Sequence, residues 1–376
     1  MNRNILRHLL LHAVTLLTLV FPGFSLQLSS KDKLSPTVSL NKCWAYPIES
    51  VQYKYLASDN KLIFIAIEDG SVQAIEAKTS GSIWTTDLGG GIVSNIAINE
   101  TNIFVATNPL AGKDAAAPEA SILRSLSKKT GITNWSIRLP FSAEMVLGGA
   151  RGRIIAAGSE GTITALDNKT GNIDWKAPLS GQLSAALYFS SDTITYGTDQ
   201  NEIVSISAET GERIFRRPVK FRPTAIAYLS ENKIVTGDER GNVALINTLN
   251  GQSVWEFKSG AGISSISTSG SGLVVTSLDN FIYMISPKNG DVIWKRRMPG
   301  RILHGVLVTD NFVFALIYGE SSAYLIDTKK GKLIDQLVQT DKNYQNRAPL
   351  LVNDSNIVFA TADGVESHSV SGCHFQ

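Results

Sequence analysis

Residues 154–175 read IIAAGSEGTITALDNKTGNIDW. The segment opens on a β-branched apolar run, breaks at Glu160-Gly161, and resumes in the alternating stretch Thr162-Ile163-Thr164-Ala165-Leu166-Asp167. It then turns through Asn168-Lys169-Thr170-Gly171 and reaches Trp175. Short β-branched runs separated by acid–Gly and Asn-x-x-Gly turns are the pattern of strands joined by hairpins, with glycine supplying a positive φ. The phrase recurs, with Asp69-Gly70 before Trp84, Arg240-Gly241 before Trp255 and Asp279-Asn280 before Trp294. Turn glycines fall at Gly81, Gly131, Gly171, Gly211, Gly251, Gly290, Gly331 and Gly372, at steps of 50, 40, 40, 40, 39, 41 and 41 residues.

A step of about forty residues accommodates four strands and their connections. Helical repeats of that length would need apolar stripes at i, i+3 and i+4, whereas runs such as Asn356-Ile357-Val358-Phe359-Ala360 are too short and too β-branched. The expected fold is therefore all-β: an eight-bladed β-propeller of four-stranded antiparallel blades. All six tryptophans (Trp44, Trp84, Trp135, Trp175, Trp255 and Trp294) occupy one slot of the repeat; Phe215 fills it in the fourth unit and Asp335 in the seventh. A flat aromatic on an outer strand can wedge between blades and bury a large apolar area, which gives these residues a structural docking role.

Trp44 precedes the first unit, while the last unit runs out of chain before reaching a tryptophan of its own. The economical solution has the N-terminal strand complete the last blade, which removes the open sheet edges. That closure brings together the only two cysteines, Cys43 and Cys373. In an oxidising compartment they are expected to form a disulfide worth on the order of 4–5 kcal/mol by loop entropy; two unpaired buried thiols are the alternative.

Of the 376 residues, 43% are hydrophobic and 18% charged, a globular composition. Residues 1–25 have the order of a secretory signal: Arg3 and Arg7, an apolar run from Leu9 to Phe21, then small residues up to Ser25. An uncleaved anchor is the other reading. Residues 26–42 form a polar linker and residues 43–376 the propeller; the chain is expected to be exported, periplasmic or extracellular, with no membrane span once processed. Removing Arg3 and Arg7 leaves 33 basic against 33 acidic residues, so nucleic acid exerts no global attraction. The long second step marks a surface insertion near Asn108 to Pro118.

Catalytic signatures are missing. There is no G-x-x-x-x-G-K-[ST] phosphate loop and no G-x-S-x-G elbow. Outside the signal only His304, His368 and His374 remain, none paired with a second ligand at metal spacing. Gly89-Gly90-Gly91 suits a close-packed strand start, and the acid–Gly pairs suit turn chemistry. Sequons at Asn99, Asn134, Asn168 and Asn353 matter only in a eukaryotic host. One feature stands above this background. The connector after the fourth unit carries Arg213, Arg216, Arg217, Lys220 and Arg222 around Pro218 and Phe221, and a second basic stretch holds Lys295, Arg296, Arg297 and Arg301. Such connectors emerge at one face, and arginine interleaved with aromatic residues is a common composition of protein contacts. Solvated loop charge is the plainer alternative.

The strand–turn–Trp phrase, seen at 69–84 and 160–175, resembles the PQQ-like propeller repeat with its tryptophan-docking motif, over about 330 residues from Cys43 to Cys373. Two branches of that superfamily bear on function. Pyrroloquinoline-quinone dehydrogenases hold a quinone and calcium on the axis, commonly against a disulfide of neighbouring cysteines, which this chain lacks. The propeller component of the outer-membrane β-barrel assembly machinery is a non-catalytic eight-bladed scaffold similar in length and architecture, though normally a lipoprotein, and no lipobox cysteine is present. The resemblance implies a monomeric, non-enzymatic scaffold without cofactor. Its partners would be proteins, such as an outer-membrane barrel-assembly protein, and the candidate contacts read from the basic connectors are Arg216, Arg217, Lys220, Arg222, Arg296, Arg297 and Arg301. A quinone- or small-molecule-binding propeller is the alternative; a cell-surface sensing or adhesion module is a third.

Overall fold

The computed structural model describes residues 39–373 apart from 49–52, 109–119, 141–143, 159–160, 186, 231, 249–251, 304, 319–321, 339–349, 353–354 and 362. The expected signal peptide, most of the linker, the insertion, His304 and His374 lie outside the described residues. Asn41 and Lys42, placed in the linker from sequence, belong to a strand.

Strands Tyr53–Ser58, Leu62–Ile67, Ser71–Glu76 and Ser82–Asp87 pair in order, each antiparallel to the next, as blade 1. Six further four-stranded sheets span 97–139, 145–178, 188–218, 223–258, 263–297 and 307–338, forming blades 2 to 7. Blade 8 combines Leu350–Leu351, Asn356–Thr361 and Gly364–Ser369 with the N-terminal strand Asn41–Pro47 as its outer member. The expected closure is present.

The second strand of each blade is buried on both faces. Ile63, Phe64, Ile65 and Ala66 have no exposed surface, and Ile103, Val105 and Ala106 repeat this in blade 2. Between blades 1 and 2, Phe64, Val72, Trp84, Ile103 and Leu126 pack as one layer. Each such aliphatic contributes roughly 1.5–3 kcal/mol by leaving water.

Every tryptophan makes the same contact. Its Nε1–H donates to a carbonyl of the following blade: Trp44 to Ala77 (3.0 Å), Trp84 to Lys128 (2.8 Å), Trp135 to Asn168 (3.2 Å), Trp175 to Ala208 (3.3 Å), Trp255 to Pro287 (3.0 Å) and Trp294 to Thr328 (2.9 Å). For five of the six, the turn glycine comes three residues after the accepting carbonyl, and the indole lies flat over it. A Cβ added to Gly171 would meet the Trp135 ring at 2.7 Å, and one on Gly211 the Trp175 ring at 2.5 Å. Glycine is thus required twice at this point, by φ +75° at Gly171 and by the ring above it.

Blade 1 departs from the reading of the sequence. The left-handed residue three after Ala77 is Ser80, at φ +59°, and Gly81 follows it without a positive φ. Ser80 N donates to Glu76 O as Gly171 N does to Asp167 O, so Ser80 holds the turn position assigned to Gly81. The first step is correspondingly one residue longer.

A register shift precedes the tryptophan slot in all eight blades. The extra residue is Ile83 in blade 1, Asp174 in blade 3, Val254 in blade 5 and Cys43 in blade 8. Such bulges bend the outer strand and blunt its free edge against pairing with other chains.

At the seam, Cys43 and Cys373, 330 positions apart in sequence, form the expected disulfide with Cα atoms 5.4 Å apart. Asp335 takes a different part in the closure. Its Oδ2 accepts from Leu40 N at 2.7 Å, just ahead of the N-terminal strand. In blades 1 to 4, 6 and 7 the N–H in this place bonds back within a continuous turn, which blade 8 cannot supply because its outer strand comes from the other end of the chain.

Lys42 Nζ contacts Glu366 Oε1 at 2.6 Å, and His368 Nε2 lies 3.0 Å from Glu366 Oε2. Burial by itself pushes the Glu366 carboxyl up, but the hydrogen bonds to His368 and Lys42, with the charges behind them, outweigh it and hold it below the ordinary value. A carboxylate lowered on folding stabilises above its unfolded value, about pH 4.3, and loses that contribution as pH falls through the folded value. The stability difference between wild type and Glu366→Gln is therefore expected to be constant at neutral pH and to shrink below about pH 4. Urea denaturation at a series of pH values measures it; a difference unchanged in acid would show that Glu366 does not help hold the seam.

Candidate functional site

In an antiparallel blade, the connector leaving the outer strand emerges on the same face as the turn between the two middle strands. The two are bonded together: Val219 N to Asn201 O (2.8 Å), Ser259 N to Gly241 O (2.9 Å) and Met298 N to Asn280 O (2.7 Å). This connector face carries most of the basic residues singled out from the sequence.

Blade 4 has Phe215 in the tryptophan slot, and a phenyl ring has no N–H to donate. The layer between blades 4 and 5 is thin: Ile203, Ile234 and Ile246 are buried, while Phe215, Val219, Ile226 and Tyr228 are only partly covered. A cleft of about 340 Å³ opens at this junction, walled by Ile203, Val219, Phe221 and Ala244 and edged by Arg217, Lys220, Asp238 and Glu256.

The cations around it differ in what they hold. Arg216 Nη2 lies 2.6 Å from Glu202 Oε1, a contact that raises the guanidinium pKa and leaves Arg216 committed. Arg222 Nε is 3.2 Å from Glu239 Oε2, with both side chains well exposed, a geometry of small energetic value. Lys220 Nζ sits 5.3 Å from the centre of the Phe221 ring, and Arg240 reaches the same ring at 6.0 Å. Arg217 is half-buried, and its Nη1, closed off from solvent, has no hydrogen-bond partner among the described residues. A buried donor left unmade is costly, so a turn of the Arg217 side chain toward an incoming acceptor would be favourable.

The second basic stretch divides. Arg297 and Arg301 are exposed on or beside the connector after blade 6. Arg296 instead donates from Nη1 to Gly331 O (3.0 Å), in the turn that Trp294 covers, and serves the contact between blades 6 and 7. Arg240 was not singled out as a site residue from sequence. Its signal was available: Arg240-Gly241 stands where Asp69-Gly70 and Asp363-Gly364 carry an acid. Among the described residues, no group of three or more His, Cys, Asp or Glu side chains could hold a metal ion. No helix among them is long and apolar enough to cross a membrane.

Fold and face together define a PQQ-like β-propeller with a polar, cation-rich connector face. The chain belongs to the family of the outer membrane protein assembly factor BamB, whose family model matches residues 41–142, 118–266 and 239–365. Among solved structures, BamB from Moraxella catarrhalis superposes with a TM-score of 0.64 at 17% identity, over 88% of this chain and 97% of that one. The computationally designed Ika8 protein gives a TM-score of 0.73 at 15% identity, over 88% and 99%. Quinohemoprotein alcohol dehydrogenase from Comamonas testosteroni gives 0.67 at 14% identity, over 89% and 77%. At these identities the likenesses establish the fold. A comparison with curated proteins returned no match.

Replacing Arg217 by methionine keeps a side chain of similar bulk and removes the orphaned donor. Arg217→Met is expected to leave stability within about 0.5 kcal/mol of wild type, or to raise it. Thermal denaturation measures this; a clear loss would show that the guanidinium already has a partner in the fold.

Proposed function

We propose that the protein is a non-catalytic, exported scaffold that holds a protein partner on its connector face at blades 4 and 5, and that the partner belongs to outer-membrane barrel assembly. The observation that carries this reading is the cleft beside Phe221, where a half-buried arginine with an unmet donor meets an apolar wall. Apolar surface with a desolvated arginine is the composition of a contact hot spot. Membership of the BamB family supports an assembly role, and the disulfide supports a compartment outside the cytoplasm.

The likeness to a quinohemoprotein makes quinone binding the competing reading. The residues speak against it, because the two cysteines are spent on each other at the outer strand of blade 8 rather than set side by side.

Crosslinking and pull-down from envelope fractions test the scaffold role. Wild type is expected to capture a barrel-assembly protein. Lys220→Glu with Arg222→Glu should reduce capture at least about tenfold without altering the melting temperature, since both side chains are exposed. Unchanged capture would place the contact elsewhere. Adding pyrroloquinoline quinone with calcium is expected to leave the melting temperature unmoved; a saturable rise would favour the competing reading.

A further inference from the structure

The repeat allows one position to be compared around the ring. In blades 2, 4, 5, 6 and 7 a residue at the exit of the second strand donates its N–H to the preceding connector on the connector face. Asn108 donates to Gly91 O (2.9 Å), Asp199 to Gln182 O (2.9 Å), Glu239 to Arg222 O (3.1 Å), Leu278 to Gly262 O (2.8 Å) and Tyr318 to Arg301 O (2.8 Å). Glu68 holds the same place in blade 1.

Blades 1, 2, 4 and 5 thus present Glu68, Asn108, Asp199 and Glu239, whereas blades 6 and 7 present leucine and tyrosine. Leu278 is 38% exposed and Tyr318 is 55% exposed, although the backbone contact itself needs no apolar side chain. Leu303, two residues beyond Arg301, is 36% exposed next to the fully buried Ile302. Its counterpart two residues beyond Gly91, Val93, is buried, at 7% exposure. Among the described residues, the Arg301 guanidinium has no ion-pair or hydrogen-bond partner.

We propose that Leu278, Leu303, Tyr318 and Arg301 form a second docking surface, on the inner part of the connector face at blades 6 and 7. Its occupant is an extended partner segment that alternates aliphatic and acidic side chains. The aliphatic groups rest on the two leucines and the tyrosine ring, and a carboxylate meets Arg301. The rest of the ring argues for a narrow peptide rather than an anionic lipid surface. A bilayer laid over this face would also meet the exposed carboxylates of Glu68, Asp199 and Glu239, whereas a single segment avoids them. The surface is independent of the cleft at blades 4 and 5.

The repeat also supplies the test variants. Since acids occupy this position in blades 4 and 5, Leu278→Asp and Tyr318→Asp place there a residue the fold already tolerates. Arg301→Gln likewise copies Gln182. Fluorescence polarisation of a labelled peptide of alternating leucine and glutamate, against the full chain, is expected to show saturable binding. The double variant Leu278→Asp with Tyr318→Asp should weaken it at least about tenfold, and Arg301→Gln should weaken it several-fold, with melting temperatures unchanged. A leucine–lysine peptide should bind less tightly than the leucine–glutamate one. Lys220→Glu with Arg222→Glu should leave the peptide's affinity as it is, which separates this surface from the assembly contact. No binding by wild type, equal binding by the double variant, or preference for the lysine peptide would each overturn the proposal. So would capture of anionic phospholipid vesicles that depends on the same residues.

Discussion

An indole on one blade covers the turn of the next and donates its N–H to a carbonyl three residues before the covered position. The contact joins a hydrogen bond, a large apolar burial and, at the turns of blades 2, 3, 4, 6 and 7, a steric demand for glycine, and it always points in the same direction around the ring. A blade therefore has no complete surface of its own, with one face waiting for an indole and the other offering one. Closure follows from that asymmetry. Trp44 on the N-terminal strand covers blade 1, and the same strand gives blade 8 its outer edge. The one slot that faces blade 8 holds Asp335, whose carboxylate receives the N–H of Leu40. Disulfide, ion pair and strand pairing then act on a single junction.

The same constraint shapes the surface. Blades fixed by their neighbours hold the connectors in place, so chemistry can vary on one face while the core repeats. Phe215 interrupts the chain of indole contacts at blades 4 and 5, and there the layer thins and a cleft opens beside a basic connector. Two blades further round, leucine and tyrosine stand where blades 1, 4 and 5 show carboxylates. Both features are local departures from the repeat, and departures are what a repeat protein has available for function.

Much of this was legible because the signal is periodic. The forty-residue beat, the tryptophan slot and the extra N-terminal tryptophan were enough for blade number, closure and cysteine pairing. The turn of blade 1 was misread for a physical reason: Ser80-Gly81 offers glycine one place late, and a serine can adopt the left-handed conformation at modest cost. The role of Arg296 was hidden because sequence does not say toward which neighbour a strand residue leans. The cleft was hidden as well, since a phenylalanine in an aromatic slot looks conservative until the missing N–H and the thin layer around it are seen. Tyr318 becomes informative only when blades are aligned in space, position against position.

Substitution of alanine at two glycines tests the indole contact directly. Gly171 has φ +75° and lies under the Trp135 ring, whereas Gly81 has no positive φ, and a Cβ there would meet only Thr79 Oγ1 at 3.2 Å. Chemical denaturation of Gly171→Ala is expected to show a loss of about 2 kcal/mol or more, and of Gly81→Ala a change within about 0.5 kcal/mol. Equal effects at the two glycines would contradict the idea that an indole pressed on a bare backbone holds each blade to the next.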